Sequence, residues 1–175
     1  KLARTRGFVF LSSPFDEDSA DILDDIGVPA FKMASGELTN HPLLRYVAGK
    51  GKPMILSTGM STMNEISEAL GVVCGEGLES VAILHCVTSY PARHDELNLK
   101  VLDTLKKRFG VPVGFSDHSL GTVAAVAAVA LGASIIEKHF TLDTTMEGPD
   151  HAASLPAEEL AGMVSAIRQA EASLG

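Results

Sequence analysis

Apolar runs recur along this chain at a spacing that leaves few architectures open. Runs with strand character lie at 8–13 (FVFLSS), 29–34 (PAFKMA), 53–57 (PMILS), 80–87 (SVAILHCV), 111–115 (VPVGF) and 134–140 (SIIEKHF). Their first residues stand 21, 24, 27, 31 and 23 positions apart, enough for a strand, a helix and two short connections. Helical patterns fill the gaps near 16–26, 41–50, 61–74, 95–109 and 119–132, with a last one at 157–173. Start signals stand at Asp16 with Ser19, Ser61 with Asn64-Glu65, and Pro156 with Glu158-Glu159; Gly27, Gly51, Gly110, Gly132 and Gly175 fall where helices end. The strands are nearly continuous in apolar residues, as strands covered on both faces are. Six consecutive units of this kind predict an α/β protein with a parallel sheet.

The strand ends choose between the two common parallel architectures. Polar residues close every run: Ser12-Ser13, Ser35-Gly36-Glu37, Ser57-Thr58-Gly59, Thr88-Ser89-Tyr90, Ser116-Asp117-His118 and Glu137-Lys138-His139. An open doubly wound sheet needs such tips only near its switch point. A (β/α)8 TIM barrel uses the loop after every strand to line one mouth, so the pattern favours the barrel. Six strands do not close a barrel of eight, and two are expected to be missing. The opening Lys1-Leu2-Ala3-Arg4-Thr5-Arg6 has no Met and reads as the end of a helix, which again suggests a fragment, a single partial barrel domain over 1–175.

Composition narrows the partners. No apolar run approaches a membrane span, and the net charge of −8 argues against nucleic acid or an anionic membrane. A small anionic substrate stays open, because local lysines and backbone N–H groups bind such ligands. The two cysteines, Cys74 and Cys86, form no CxxC pair, so a reduced, cytoplasmic setting is expected.

Chemistry concentrates between Gly114 and Phe140. His118 and His139 each stand at the tip of a strand, one strand-helix-strand unit apart. Parallel neighbours in a sheet lie about 5 Å apart, so both imidazoles can reach one ion. Alternation puts Ser116 with His118 and Glu137 with His139 on one face, and Asp117 and Lys138 on the other as an expected ion pair. Two histidines with oxygen donors form a mixed site suited to Mn²⁺, with Mg²⁺ or Co²⁺ as alternatives, rather than to structural Zn²⁺.

Other residues supply candidate substrate contacts. Lys32, mid-strand among apolar residues, is costly unless paired or facing an anion, so it is expected to clamp a phosphate or carboxylate or to form a Schiff base. Ser35-Gly36-Glu37 adds a hydroxyl and backbone N–H groups at a strand-to-helix turn. Tyr90 could border a sugar. His85 is expected to face the helices. The long polar loop 143–155 reads as a lid carrying Asp150, with His151 divided between site and surface.

SSPFD (12–16), FKMASGELTN (31–40), ILSTGM (55–60), LHCVTSYP (84–91), GFSDHSLG (114–121), IEKHFTLD (136–143) and GPDHAASL (148–155) together resemble the sialic acid synthase family. Its members make N-acetylneuraminic, legionaminic and pseudaminic acids or spore-coat sugars. The resemblance covers almost the whole chain and implies condensation of phosphoenolpyruvate with an open-chain N-acyl hexosamine, giving a nine-carbon α-keto acid and phosphate. It implies His118 and His139 as ligands of a divalent metal. It places Lys32, Ser35, Thr88, Ser116 and also Ser13 on phosphoenolpyruvate, with Glu37, Tyr90 and Asp150 on the sugar. Glu137 would lie near the metal or water. Thr88 departs from the Asn of some members, and Ser13 stands where Thr is common. The family's first two strands and its C-terminal antifreeze-like domain, which completes the site of a partner subunit in a homodimer, are absent, so the 175 residues alone are expected to be inactive.

Two rivals differ in class. A Schiff-base barrel aldolase would use Lys32 as its nucleophile. A non-catalytic remnant would only bind sugar or phosphate. A metal-dependent phosphoenolpyruvate synthase acting on a shorter sugar phosphate would need extra basic residues, which the sequence does not offer.

Overall fold

The computed structural model describes residues 2–175; Lys1, the first residue of the expected N-terminal helix end, lies outside them. Leu2–Thr5 forms a single helical turn, α1. Helices and strands then alternate as expected: α2 (Glu17–Ile26), β1 (Phe31–Met33), α3 (His41–Ala48), β2 (Met54–Ser57), α4 (Met63–Gly75), β3 (Val81–Cys86), α5 (Val101–Phe109), β4 (Val113–Asp117), α6 (Val123–Ala130), β5 (Ile136–Lys138) and α7 (Ala157–Leu174). The sheet order β1-β2-β3-β4-β5 follows chain order. The fold is α/β. The chain divides into two units, Lys1–Ile83 and Leu84–Gly175.

In the first unit β1 runs parallel to β2 with Phe31 opposite Met54, Lys32 opposite Ile55 and Met33 opposite Leu56. Phe31, Met33, Met54 and Leu56 are buried, as are Leu38 and, on α3, Leu44. The helix signals hold at α2 and shift by a residue or two at others, α3 closing at Gly49 rather than Gly51 and α6 at Leu131 beside Gly132. Asp16 caps α2 by accepting from Ser19 N at 2.6 Å, and Gly27 closes it in the left-handed region at φ 76°. At α4 the cap is Thr62 rather than Ser61: Thr62 and Glu65 form a reciprocal capping box.

The expected strand at 8–13 is not formed, which reduces six strands to five. Phe8, Val9 and Phe10 are exposed and lie in irregular backbone, and among the described residues the run has no ladder partner. An apolar run reports a tendency to be buried, whereas a strand also needs a neighbouring backbone to take its N–H and C=O groups. Phe8, Val9 and Phe10 instead border a hollow of about 850 Å³ with Ile26, Val28 and Pro29.

In the second unit β4 and β5 are parallel, pairing Phe115 with Ile136, Ser116 with Glu137 and Asp117 with Lys138. Gly114 is required by close approach: a Cβ there would stand 2.5 Å from Leu84 Cδ2 and 2.6 Å from the Ile135 carbonyl oxygen. The alanine-rich face of α6 packs against α7, burying Ala125, Val129, Leu155, Met163 and Ile167 together. Among the described residues no helix is long and apolar enough to cross a membrane.

Candidate active site

The register of β4 and β5 assembles the histidine cluster. With Ser116 opposite Glu137, the residues two further along each strand fall on the same face, and these are His118 and His139. The two rings meet edge to face with centroids 5.4 Å apart. Tyr90 joins them, its ring 4.2 Å from that of His118 and 5.5 Å from that of His139. Ser116 Oγ donates to Glu137 Oε1 at 2.6 Å and lies 3.3 Å from His118 Nε2. The four residues grouped by strand alternation are therefore together.

An oxygen behind the ring selects the nitrogen that His118 presents. His118 Nδ1 donates to the Val87 carbonyl at 2.7 Å, which leaves Nε2 as the lone-pair nitrogen. Asp150 Oδ2 stands 3.7 Å from His139 Nδ1. Burial pushes the His118 imidazole below its usual pKa, opposed by the Val87 carbonyl and aided by the nearby His139. A neutral ring is the form that binds a metal. Burial, with Cys86, Asp150 and Glu137 adding, raises the Tyr90 phenol above its ordinary value, so it stays protonated near neutrality.

This donor set fits a divalent cation. His118 offers Nε2 with a carbonyl oxygen held at its other nitrogen, the usual arrangement behind a metal-bound histidine, and the ring of His139 stands beside it. Among the described residues no three His, Cys, Asp or Glu side chains form a metal cage. A cation here would rely on two nitrogens and take its other ligands from substrate or water oxygens, which suits Mn²⁺ or Mg²⁺ better than structural Zn²⁺.

The opposite faces of the same strands carry the expected ion pair. Lys138 Nζ donates to Asp117 Oδ2 at 2.8 Å, with both side chains almost wholly buried. His85 faces away as anticipated, its Nε2 2.6 Å from the Leu97 carbonyl and its ring stacked on Phe115. His151 serves the loop: its Nδ1 is 2.7 Å from Thr141 Oγ1. Thr88 is exposed at the end of its strand.

Within the first unit, Lys32 points from β1 to the face opposite Phe31 and Met33, with Nζ 3.4 Å from the Met33 carbonyl. Ser35 Oγ accepts from Gly59 N at 3.0 Å, tying the turn after β1 to the turn after β2. Glu37 accepts from Asn40 Nδ2 at 2.8 Å, and Asn40 caps α3, so part of the work of Glu37 is structural. Ser13 is half-buried in irregular backbone. One contributor had no sequence signal, the Val87 carbonyl, which any residue would supply; Ser57, read from the sequence as part of a polar strand tip, has its Oγ buried without a hydrogen-bond partner among the described residues.

Comparison with known proteins agrees with these motifs. The model of the NeuB family matches residues 1–175. The N,N'-diacetyllegionaminic acid synthase of Campylobacter jejuni is 49% identical over 99% of this chain and 52% of its own length. The human N-acetylneuraminate-9-phosphate synthase is 39% identical over 100% of this chain and 49% of its own. The crystal structure of the spore coat polysaccharide biosynthesis protein spsE from Bacillus subtilis superposes with a TM-score of 0.96 at 45% identity, over 98% of this chain and 49% of that one. The chain thus spans about half the length of the curated relatives it matches.

Proposed function

The chain belongs to the NeuB family, and on that premise we propose that it forms part of a synthase that condenses phosphoenolpyruvate with an open-chain N-acyl hexosamine. The products are a nine-carbon α-keto sugar acid and phosphate. The observation that carries this reading is the cluster of His118, His139, Ser116 and Glu137 at two adjacent strand tips. The names of the relatives, legionaminic and N-acetylneuraminate-phosphate synthases, support the product class.

His118 and His139 would hold a divalent cation, Mn²⁺ by preference, which when bound supplies Lewis acidity toward the sugar aldehyde. The residues of the chain do the rest. The Val87 carbonyl keeps the proton of His118 on Nδ1. Tyr90 and Asp150, both beside the histidines, orient the sugar. The family resemblance assigns Thr88 and Ser116, and likewise Lys32, Ser35 and Ser13, to phosphoenolpyruvate, and Glu37 to the sugar. The methylene carbon of phosphoenolpyruvate forms the new bond to the aldehyde carbon, and water adds at the C2 cation that results. The C2–O bond to phosphate then breaks as the C2 hydroxyl becomes the ketone; of the two protons that the water gives up, one ends on the former aldehyde oxygen and one on the departing phosphate. Glu137, hydrogen-bonded to Ser116, holds a proton that the incoming water gives up.

The working enzyme in this reading is a cytoplasmic homodimer, with this chain as part of a (β/α)8 barrel that the longer protein completes. Full-length protein assayed with Mn²⁺, phosphoenolpyruvate and a panel of N-acylated hexosamines should release phosphate only when both substrates are present. His118→Ala or His139→Ala should remove that activity. Turnover that survives EDTA, with borohydride trapping of pyruvate on Lys32, would replace this reading with the Schiff-base aldolase.

A further inference from the structure

The reading above leaves unused one buried charged group in the second unit, the Asp117–Lys138 pair behind the histidines. Its partners are specific. Asp117 Oδ2 accepts from Lys138 Nζ at 2.8 Å, while Oδ1 accepts from Ser119 N at 2.9 Å and from Ser119 Oγ at 2.6 Å. Lys138 Nζ also donates to the Ser119 carbonyl. The two side chains are 0% and 2% exposed, and Ser119 is fully buried.

Sequence position gives these bonds their meaning. Asp117 immediately precedes His118, and Lys138 immediately precedes His139. The ammonium on the His139 strand therefore grips the backbone just beyond His118, and the carboxylate bends the chain at the same residue. His118 is held from its other side as well: its carbonyl accepts from Ala92 N at 2.9 Å, and Ala92 bridges Ser119. A buried ion pair is seldom the most stable filling for such a position, since well-packed apolar residues of similar size often do as well or better. What directional charge-assisted bonds add is fixed geometry.

We propose that Asp117, Lys138 and Ser119 form a positioning clamp that fixes the spacing and relative orientation of the His118 and His139 rings. The part of this inference that concerns metal affinity rests on the function proposed above; the part that concerns ring geometry does not. Asp117 and Lys138 lie buried on the strand faces opposite the histidines. They act through the backbone that carries the two imidazoles.

The test uses the full-length protein that carries this chain and two variants. Asp117→Asn with Lys138→Gln removes both charges together and leaves no lone buried ion; Ser119→Ala removes only one hydrogen bond to Asp117. Urea unfolding establishes that each is folded. Imidazole NMR of the metal-free protein then reads the ring resonances and the ring-to-ring cross-peak of His118 and His139, and Mn²⁺ titration followed by electron paramagnetic resonance reads affinity. The double variant should shift both rings, weaken the cross-peak and bind Mn²⁺ roughly 10–100-fold less tightly, the usual cost of losing support behind a ligand. Ser119→Ala should move the same signals in the same direction by less. A folded double variant with unchanged ring signals and Mn²⁺ affinity within about twofold of the parent overturns the clamp. If the double variant does not fold, Ser119→Ala decides on the same readouts, unchanged signals again overturning it. If the parent protein binds no Mn²⁺, the proposed metal site falls, while the ring signals still decide the clamp.

Discussion

A carbonyl behind an imidazole can do two different jobs in this protein. The Val87 carbonyl turns His118 Nε2 toward its neighbours in the cluster, whereas the Leu97 carbonyl anchors His85 in the core. Burial pushes His85 below its ordinary pKa, and the Leu97 carbonyl only partly opposes this. The folded protein therefore resists protonating His85, while the unfolded chain takes up that proton near pH 6.5. A depressed folded-state value means that the stability contribution is complete above about pH 6.5 and is lost as pH falls from there toward the folded-state value. Urea midpoints should accordingly decline between pH 7.5 and 5. His85→Gln, whose amide can still donate to Leu97, should flatten that decline. An equal slope in parent and variant would assign the acid sensitivity elsewhere. That His85 faces the helices was legible from alternation along its strand. Its partner was not, because Leu97 reaches it only through the connection before α5.

Elements obey local rules wherever the rule involves only near neighbours in sequence. Asp16 caps α2 and Gly27 ends it, as read from the sequence. At the start of α4 hydrogen bonding moves the cap one residue on from the Ser61 read in the sequence, to Thr62, whose side chain accepts from Glu65 N while Glu65 reaches back to Thr62 N. Thr62→Ala should cost about 1 kcal/mol in chemical denaturation, and Ser61→Ala should be near neutral; the reverse order would restore Ser61 as the cap. The run at 8–13 shows where local rules stop. It is as clearly apolar as a strand should be, but pairing depends on a second backbone, and among the described residues the run joins no sheet. Gly114 is a comparable case, since nothing in its own segment reveals that Leu84 and Ile135 crowd the place of a side chain.

At the scale of the whole molecule, a ligand that binds only the native state raises stability with the logarithm of its concentration relative to its dissociation constant. Mn²⁺ at 100 times its dissociation constant should stabilise the full-length protein by about 2.7 kcal/mol. The gain should vanish with EDTA and in His118→Ala with His139→Ala; a thermal midpoint indifferent to Mn²⁺ in the parent protein would remove the metal from the proposed chemistry. The sequence by itself determined the alternation of strands and helices, the parallel sheet, the shared face of Ser116, His118, Glu137 and His139, and the opposed pair Asp117 and Lys138. All of these follow from the two-residue period of a strand and the length of one strand-helix unit, which are properties of the chain alone. Only the tertiary structure decided that the run at 8–13 stays unpaired, that Val87 sets the exposed nitrogen of His118, that Glu37 partly serves a helix cap, and that Lys138 reaches beyond Asp117 to Ser119. Each of these depends on which backbone atoms arrive from distant parts of the chain, and a backbone carbonyl or N–H carries no residue identity from which its arrival could be read.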